Sequence, residues 1–282
     1  MRNLTATQLK EMKTKSEKIP LVTAYDYPTA KIADEVGIPA ILVGDSLGMV
    51  VLGYESTIQV TLEDMIHHTR AVARGASHAH VVADMPFMTF GVRPYETLRN
   101  AGRIIQEGNA QSVKLEGGEH IAEEVRRIVE VGIPVMGHIG LTPQSIHRFG
   151  GYKVQGKVKE EADRLLRDAA ALQDAGAYAV VLELVPVELS KMITERLKIP
   201  TIGIGAGPYC DGQIQVIHDI LGLFSAFVPR HTKQYTVLND VIGDALRQYI
   251  SEVQEGSFPR EKHSFNMDGA IAADLLNTMD SA

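Results

Sequence analysis

The sequence predicts an α/β fold in which about eight βα units close into a single (β/α)8 barrel. Three observations carry this expectation. From residue 20 to about 250, short runs rich in Val, Ile and Leu alternate with longer stretches whose apolar residues recur at three and four positions. The short runs are almost continuously apolar, as strands buried on both faces of a parallel sheet must be. The 282 residues, 45% apolar and 22% charged, suffice to bury one large core. An open doubly wound sheet is the alternative architecture.

Taken in order, the first two strands fall at 21–25 and 40–43. A helix at 62–73 follows, opened by Thr61 three residues before Asp64 in capping-box spacing. The third strand, 80–83, leads to a helix at 95–107 with Pro94 in its first turn and Gly108 after its end. Strand four, 112–115, precedes a helix at 120–131 closed by Gly132. Strand five spans 134–138. A long connection, 140–159, then carries Arg148, Gly150, Gly151, Lys153, Gly156 and Lys157, and reads as a lid or a solvated excursion. A helix at 160–174 ends before Gly176, strand six is 179–182, a helix follows at 188–196, and strand seven is 201–204. The eighth strand is the weakest, near 225–228. With no linker or short repeat, residues 1–263 are expected to form one barrel domain, and 264–282 an appended, mobile tail.

Composition narrows the function. The net charge is −7, with no basic stripe to neutralise a phosphate backbone, so nucleic acid is excluded as a partner. The single cysteine, Cys210, rules out internal disulfides and Cys-based zinc sites. No apolar window of about 18 residues occurs, and the stretch up to Pro20 mixes lysines with glutamates. The chain therefore reads as cytoplasmic, with no membrane association.

In a barrel, chemistry gathers at the C-terminal strand ends and the loops that follow them. There the sequence places Asp45 and Ser46 after strand two, Asp84 after strand three, Lys114 and Glu116 on strand four, His138 on strand five and Glu183 on strand six. Asp45 and Asp84 each stand where an apolar strand emerges, and with Glu116 on the adjacent strand they suit a hard cation such as Mg2+. Helix capping is the competing reading of either aspartate. Lys114 and Glu116 lie two apart on one face of a strand, either as a mutual ion pair or with the lysine free to fix a substrate carboxylate. Glu183, in an apolar run from 179 to 186, is the strongest base candidate, since burial should raise its proton affinity. His138 is either a hydrogen-bonded core residue or a site residue. The glycines at 203, 205 and 207 do not fit a dinucleotide fingerprint, and His67 and His68 read as packing or surface. Together a cation, a lysine and a carboxylate base on one rim suit removal of a proton next to the carbonyl of a small 2-oxo acid.

These segments resemble the ketopantoate hydroxymethyltransferase family. The resemblance is carried by Thr23-Ala24-Tyr25-Asp26-Tyr27, Val43-Gly44-Asp45-Ser46-Leu47-Gly48-Met49, Ala83-Asp84-Met85-Pro86-Phe87-Met88 and Val113-Lys114-Leu115-Glu116-Gly117-Gly118-Glu119. It continues through Gly137-His138-Ile139-Gly140-Leu141-Thr142-Pro143-Gln144-Ser145, Phe149-Gly150-Gly151-Tyr152-Lys153-Val154-Gln155-Gly156, Leu182-Glu183 and Gly203-Ile204-Gly205-Ala206-Gly207 with Asp211-Gly212-Gln213. Coverage runs from about residue 4 to His263. The resemblance implies a barrel like that of the phosphoenolpyruvate mutases and a homo-oligomer often built as a decamer. It implies that Asp45, Asp84 and Glu116 serve a Mg2+ site, that Asp45, Ser46, Asp84 and Lys114 contact the oxo acid, and that Glu183 accepts the proton. The reaction implied is hydroxymethyl transfer from 5,10-methylenetetrahydrofolate to 3-methyl-2-oxobutanoate through a Mg-stabilised enolate, giving 2-dehydropantoate for pantothenate biosynthesis. Leu184 departs from the pattern, since relatives commonly carry cysteine there. For the folate tail, only Lys153 and Arg148 on the long loop offer complementary charge. The alternatives are a related barrel lyase acting on a 2-oxo acid, which should carry a gating loop, often with cysteine, and a non-catalytic barrel that binds oxo acid or metal.

Overall fold

The computed structural model describes residues 3–223 and 228–279. Eight parallel strands close in chain order: β1 (Ile19–Thr23), β2 (Ala40–Val43), β3 (His80–Asp84), β4 (Ser112–Glu116), β5 (Val135–Gly140), β6 (Ala179–Glu183), β7 (Thr201–Ile204) and β8 (Gly212–Gln215). The barrel predicted from the βα rhythm is therefore the fold. Four strands shift at their ends by one or two residues, and two differ more from expectation. β1 starts two residues early and includes Pro20, which has no N–H to give a ladder and so resembles a boundary in sequence. The closing strand is 212–215, which pairs β1 from Ile19 opposite Gly212. Of the expected strand at 225–228, residues 225–227 lie outside the described residues and Val228 is not in a strand.

The helices of this unit are α1 (Ala6–Thr14), α2 (Tyr27–Glu35), α3 (Leu47–Val50), α4 (Leu62–Gly75), α5 (Pro94–Gly108), α6 (Ala122–Glu130), α7 (Ile146–Phe149), α8 (Lys159–Asp174), α9 (Val187–Arg196) and α10 (Ile217–Ile220). Local chemistry accounts for their ends. Thr61 and Asp64 form the expected capping box on α4. Asp26 caps α2 by accepting from the Thr29 N–H at 2.8 Å. α5 runs through Gly108 and stops at Asn109, which takes the left-handed conformation with φ +62°. The helix expected at 120–131 begins as a 3-10 turn at Glu119–Ile121 before α6. The long connection after β5 is partly ordered by a 3-10 turn, Pro143–Ser145, and by α7.

Two apolar clusters hold the unit together. One lies between strands and helices, with Ile41, Val81, Val113, Leu115, Met65 and Leu172 among its members. The other fills the barrel, where Leu21, Leu42, Val82, Met136, Val181, Ile202 and Ile214 point inward and Leu9 of α1 joins them. At the N-terminal strand ends this filling becomes polar but neutral. His80 Nδ1 contacts the Leu4 carbonyl at 2.8 Å, its Nε2 meets Ser112 Oγ at 2.8 Å, and Ser112 Oγ meets Tyr178 Oη at 3.0 Å.

Residues 236–282 form a second compact unit, containing α11 (Leu238–Gln254), a 3-10 turn at Glu261–His263 and α12 (Gly269–Met279). The boundary expected at 263/264 falls inside it. Among the described residues, no helix is long and apolar enough to cross a membrane.

Candidate active site

Alternation along each strand decides which polar groups reach the C-terminal mouth of the barrel, and register decides which of them meet. Asp84 on β3 stands opposite Lys114 on β4, and Glu116 on β4 stands opposite His138 on β5. The ammonium of Lys114 lies 2.8 Å from Asp84 Oδ1 and 3.8 Å from Glu116 Oε1. Its main partner is thus across the ladder, rather than the residue two along its own strand. His138 Nδ1 lies 3.3 Å from Lys114 Nζ and 3.5 Å from Glu116 Oε1, and its Nε2 lies 3.2 Å from Glu183 Oε2. Asp45 joins by its backbone, its N–H donating to Asp84 Oδ2 at 2.9 Å. Ser46 Oγ meets Tyr25 Oη at 2.8 Å.

The structure therefore brings Asp45, Asp84, Lys114, Glu116, His138 and Glu183 into one contiguous cluster, with Ser46 at its edge. Asp45, Asp84, Lys114, Glu116 and His138 are buried. Glu183 is not sunk in apolar surroundings as its flanking sequence suggested, because the last residue of β6 opens to the mouth. Its side chain is 16% exposed and faces the imidazole.

Two residues missed by sequence reasoning organise the cluster. Gln144 donates its backbone N–H to Glu116 Oε2 at 3.0 Å, and its side-chain amide to Asp45 Oδ2 at 2.8 Å and the Met85 carbonyl at 2.9 Å. Nothing about a neutral amide in a loop marks it in sequence, apart from its place in the Gly-Leu-Thr-Pro-Gln-Ser segment. Tyr152, on the long connection, reaches Met49 Sδ at 3.3 Å. Partial burial raises its hydroxyl's proton affinity, as do the charges of Glu183, Asp45 and Glu116, while the residue as a whole stays 54% exposed. Arg148 and Lys153 are exposed. A cavity of about 740 Å3 elsewhere, lined in part by Pro20, Gly207, Cys210 and Gln213, includes none of the clustered side chains.

The electrostatics follow from crowding of like charge. Burial pushes the Asp45 carboxyl well above its ordinary range, and the charges of Asp84 and Glu116 add to the rise. Burial acts the same way on Glu116, but the facing His138 imidazole and Lys114 outweigh it and hold that carboxyl low. Burial opposes charge on Lys114 as well, yet Asp84, Glu116 and Asp45 overcome it and keep the ammonium protonated. His138 is pulled down by burial and by Lys114, and the facing carboxylates of Glu116 and Glu183 then lift it to about 9.

This donor set suits a hard divalent cation. Asp84 Oδ1 and Glu116 Oε1 are buried without an aligned hydrogen-bond donor; the short Lys114 contact to the former is an ion pair lacking that alignment. Among the described residues, no three His, Cys, Asp or Glu side chains form a cage around one point. Glu116 instead turns to Lys114, His138 and the Gln144 N–H. Mg2+ is usually held by only one or two protein carboxylates, and Asp45 and Asp84 supply that number.

Backbone geometry aims the sixth strand. Leu184, directly after Glu183, has φ +46°, a conformation bulky residues rarely adopt. Across the ladder Gly140 has φ +95°, and a Cβ there would collide with the Glu183 carbonyl.

Comparison with known proteins bears on the family and the fold. The sequence profile of the family described as Ketopantoate hydroxymethyltransferase matches residues 3–261. The 3-methyl-2-oxobutanoate hydroxymethyltransferase of Dehalococcoides mccartyi is 59% identical over 277 residues, covering 98% of each chain. That of Chloroflexus aurantiacus is 58% identical over 279 residues, covering 99% of each. Among solved structures, phosphonopyruvate hydrolase in complex with oxalate and Mg2+ superposes with TM-score 0.61 at 12% identity, over 99% of this chain and 98% of that one. A 2,3-dimethylmalate lyase, described as a member of the PEP mutase/isocitrate lyase superfamily, gives TM-score 0.58 at 17% identity, over 99% and 96%. At such identities the likeness is one of fold, and it is the fold expected.

Proposed function

The chain belongs to the ketopantoate hydroxymethyltransferase family, and we propose that it transfers a hydroxymethyl group from 5,10-methylenetetrahydrofolate to 3-methyl-2-oxobutanoate, with Glu183 as the proton acceptor. The observation that carries this reading is the unbroken contact chain from Glu183 through His138 and Lys114 to Asp84. Lys114, held cationic by the surrounding carboxylates, and the Ser46 hydroxyl bind the carboxylate of the oxo acid. His138, largely protonated at neutral pH, faces Glu183 as an ion pair and holds its carboxylate at the mouth by charge. Glu183 takes the proton from C3 of the oxo acid. Water adds to the methylene carbon of the donor and both of its C–N bonds break, the two water protons passing to the two nitrogens of the departing tetrahydrofolate. The carbanion then adds to the released one-carbon carbonyl, and the resulting alkoxide takes back the proton held by Glu183.

Asp45 and Asp84 are the residues that would hold a divalent cation, with the charge of Glu116 behind them. Such a cation, when bound, supplies positive charge at the 2-oxo and carboxylate oxygens, worth several kcal/mol where negative charge develops. Tyr152 and the loop that carries it help exclude water. In this reading the enzyme works in the cytoplasm as a homo-oligomer of decameric size, which light scattering would measure. Neither the lyase nor the non-catalytic reading gains support from a transferase family.

The deciding experiment follows the C3 proton of 3-methyl-2-oxobutanoate in D2O by NMR. Exchange should stop with EDTA, return with Mg2+, and give way to 2-dehydropantoate once methylenetetrahydrofolate is added. Exchange that ignores EDTA, or no product with the folate, would overturn the reading.

A further inference from the structure

The turn that follows β8 carries two polar groups without a partner among the described residues. α10 begins almost at once after Gln215, and its first N–H, that of Ile217, donates to Thr23 Oγ1 at 3.0 Å. This bond fixes the turn against the end of β1 at the C-terminal mouth of the barrel. The ring of His218 then lies against that of Tyr25, centroids 5.4 Å apart and tilted 42°, and Tyr25 in turn bonds Ser46. The turn thus adjoins the oxo-acid side of the cluster.

Asp219 retains only 9% exposure, yet among the described residues no hydrogen bond or ion pair is made to its carboxylate. A carboxylate so far withdrawn from water is rarely left alone. Burial alone pushes its acidity constant up to about 6. Burial chiefly, and to a smaller degree the charge of Asp219, raises the proton affinity of the Tyr25 hydroxyl. Next to it, His218 Nδ1 is buried with no hydrogen-bond partner, and burial keeps the imidazole neutral. Two adjacent side chains therefore lack the partners that a purely structural turn would give them.

A lone ionised carboxylate is an acceptor with two oxygens and no donor, so its best complement is a pair of parallel N–H groups. Beside two aromatic rings, that pair is best presented by the edge of a flat heterocycle. We propose that Asp219 accepts the N3–H and 2-amino groups of the pterin of the one-carbon donor, with the half-buried ring of His218, backed by the buried Tyr25, as the wall against which the pterin lies. The proposal rests on the reading that the donor is a folate, and adds where its ring is anchored: at the β8 and β1 side of the mouth, across from Glu183 on β6.

The test pairs a protein change with a ligand change. Binding of tetrahydrofolate and of its 2-desamino-2-methyl analogue is measured by calorimetry on the full-length wild type and on Asp219→Ala, alongside KM for methylenetetrahydrofolate and the folate-independent C3 exchange. The wild type should prefer the 2-amino ligand by about 10- to 100-fold, the scale of one charge-assisted pair. Asp219→Ala should lose that preference and raise the folate KM by about tenfold or more, while oxo-acid KM and C3 exchange stay within about twofold. If Asp219→Ala does not fold, Asp219→Asn keeps the volume, offers one acceptor where two are needed, and should show the same loss. A variant that still prefers the 2-amino ligand overturns the role of Asp219 alone. A wild type that exchanges C3 but makes no product with methylenetetrahydrofolate overturns the donor reading, and this proposal with it.

Discussion

Nε2 of His138 lies 3.2 Å from Oε2 of Glu183, while Nδ1 on the far side of the same ring faces Glu116 at 3.5 Å. The imidazole is thus clasped between a carboxylate in the buried cluster and a carboxylate at the open mouth. A protonated ring faces both by charge rather than by aligned hydrogen bonds, and in the proposed mechanism His138 is therefore the positioning group for Glu183 rather than a base itself.

Glu183→Gln should slow C3 exchange by about 100- to 10,000-fold, the usual scale for loss of a general base, with oxo-acid affinity within a few-fold of wild type. His138→Asn should lower the exchange rate about tenfold while the oxo-acid KM moves little, since it removes orientation and not the acceptor. Exchange by NMR and binding by calorimetry separate the two effects, and wild-type exchange in Glu183→Gln would remove that residue from the role.

Lys114→Met should leave Asp84 and Glu116 buried beside Asp45 without their main cation. Removing one partner of a buried ion pair costs about 3–5 kcal/mol, and denaturant titration without metal should show a loss on that scale. Saturating Mg2+ should recover part of it, by linkage to a cation bound at Asp45 and Asp84. A loss below about 1 kcal/mol would mean that the carboxylates do not share the charge the geometry gives them.

Leu184 sits at φ +46°. A strained residue of this kind stores about 1–3 kcal/mol, and a β-branched side chain tolerates it less well. Leu184→Val should lower the melting temperature and the exchange rate together, whereas Leu184→Asn, which accepts left-handed backbone, should keep more of both. Equal behaviour of the two variants would show that side-chain packing, and not backbone conformation, governs this position.

The pH dependence of stability has a source far from the chemistry. Burial lowers the His80 acidity constant below its ordinary value, against the pull of the Leu4 carbonyl. In the unfolded chain the ring titrates near about 6.5. The unfolded state therefore binds more protons between that value and the lowered folded one, and stability falls as pH drops through this window. Melting temperatures at pH 7.5 and 5 should show this loss, reduced in His80→Gln. An unchanged slope would place the acid sensitivity elsewhere.

Much of this was legible in the sequence because apolar strands that end in an ionisable residue announce both the barrel and its working rim. Asp45, Asp84, Lys114, Glu116 and Glu183 stand out for that reason. β8 did not, since in Gly-Gln-Ile-Gln only Ile214 needs burial and the run reads as a loop. α1 hid among lysines and glutamates. The pairing of Lys114 with Asp84 depends on register between neighbouring strands, which no single strand encodes. A lone histidine at a strand end is ambiguous, and only coordinates reveal that His138 joins two carboxylates. Gln144 carries no charge to draw notice, although it ties Glu116, Asp45 and the carbonyl of Met85 together.

The uncharged relay from Tyr178 through Ser112 and His80 to Leu4 implies a division of labour along the barrel axis. Its groups keep the strand starts in register without any ion, so anchorage at one end does not depend on what is bound at the other. Exchange of residues at the catalytic end can therefore redirect chemistry while the scaffold stays assembled. Damage at the opposite end should abolish accumulation of folded protein before any kinetic constant could be recorded.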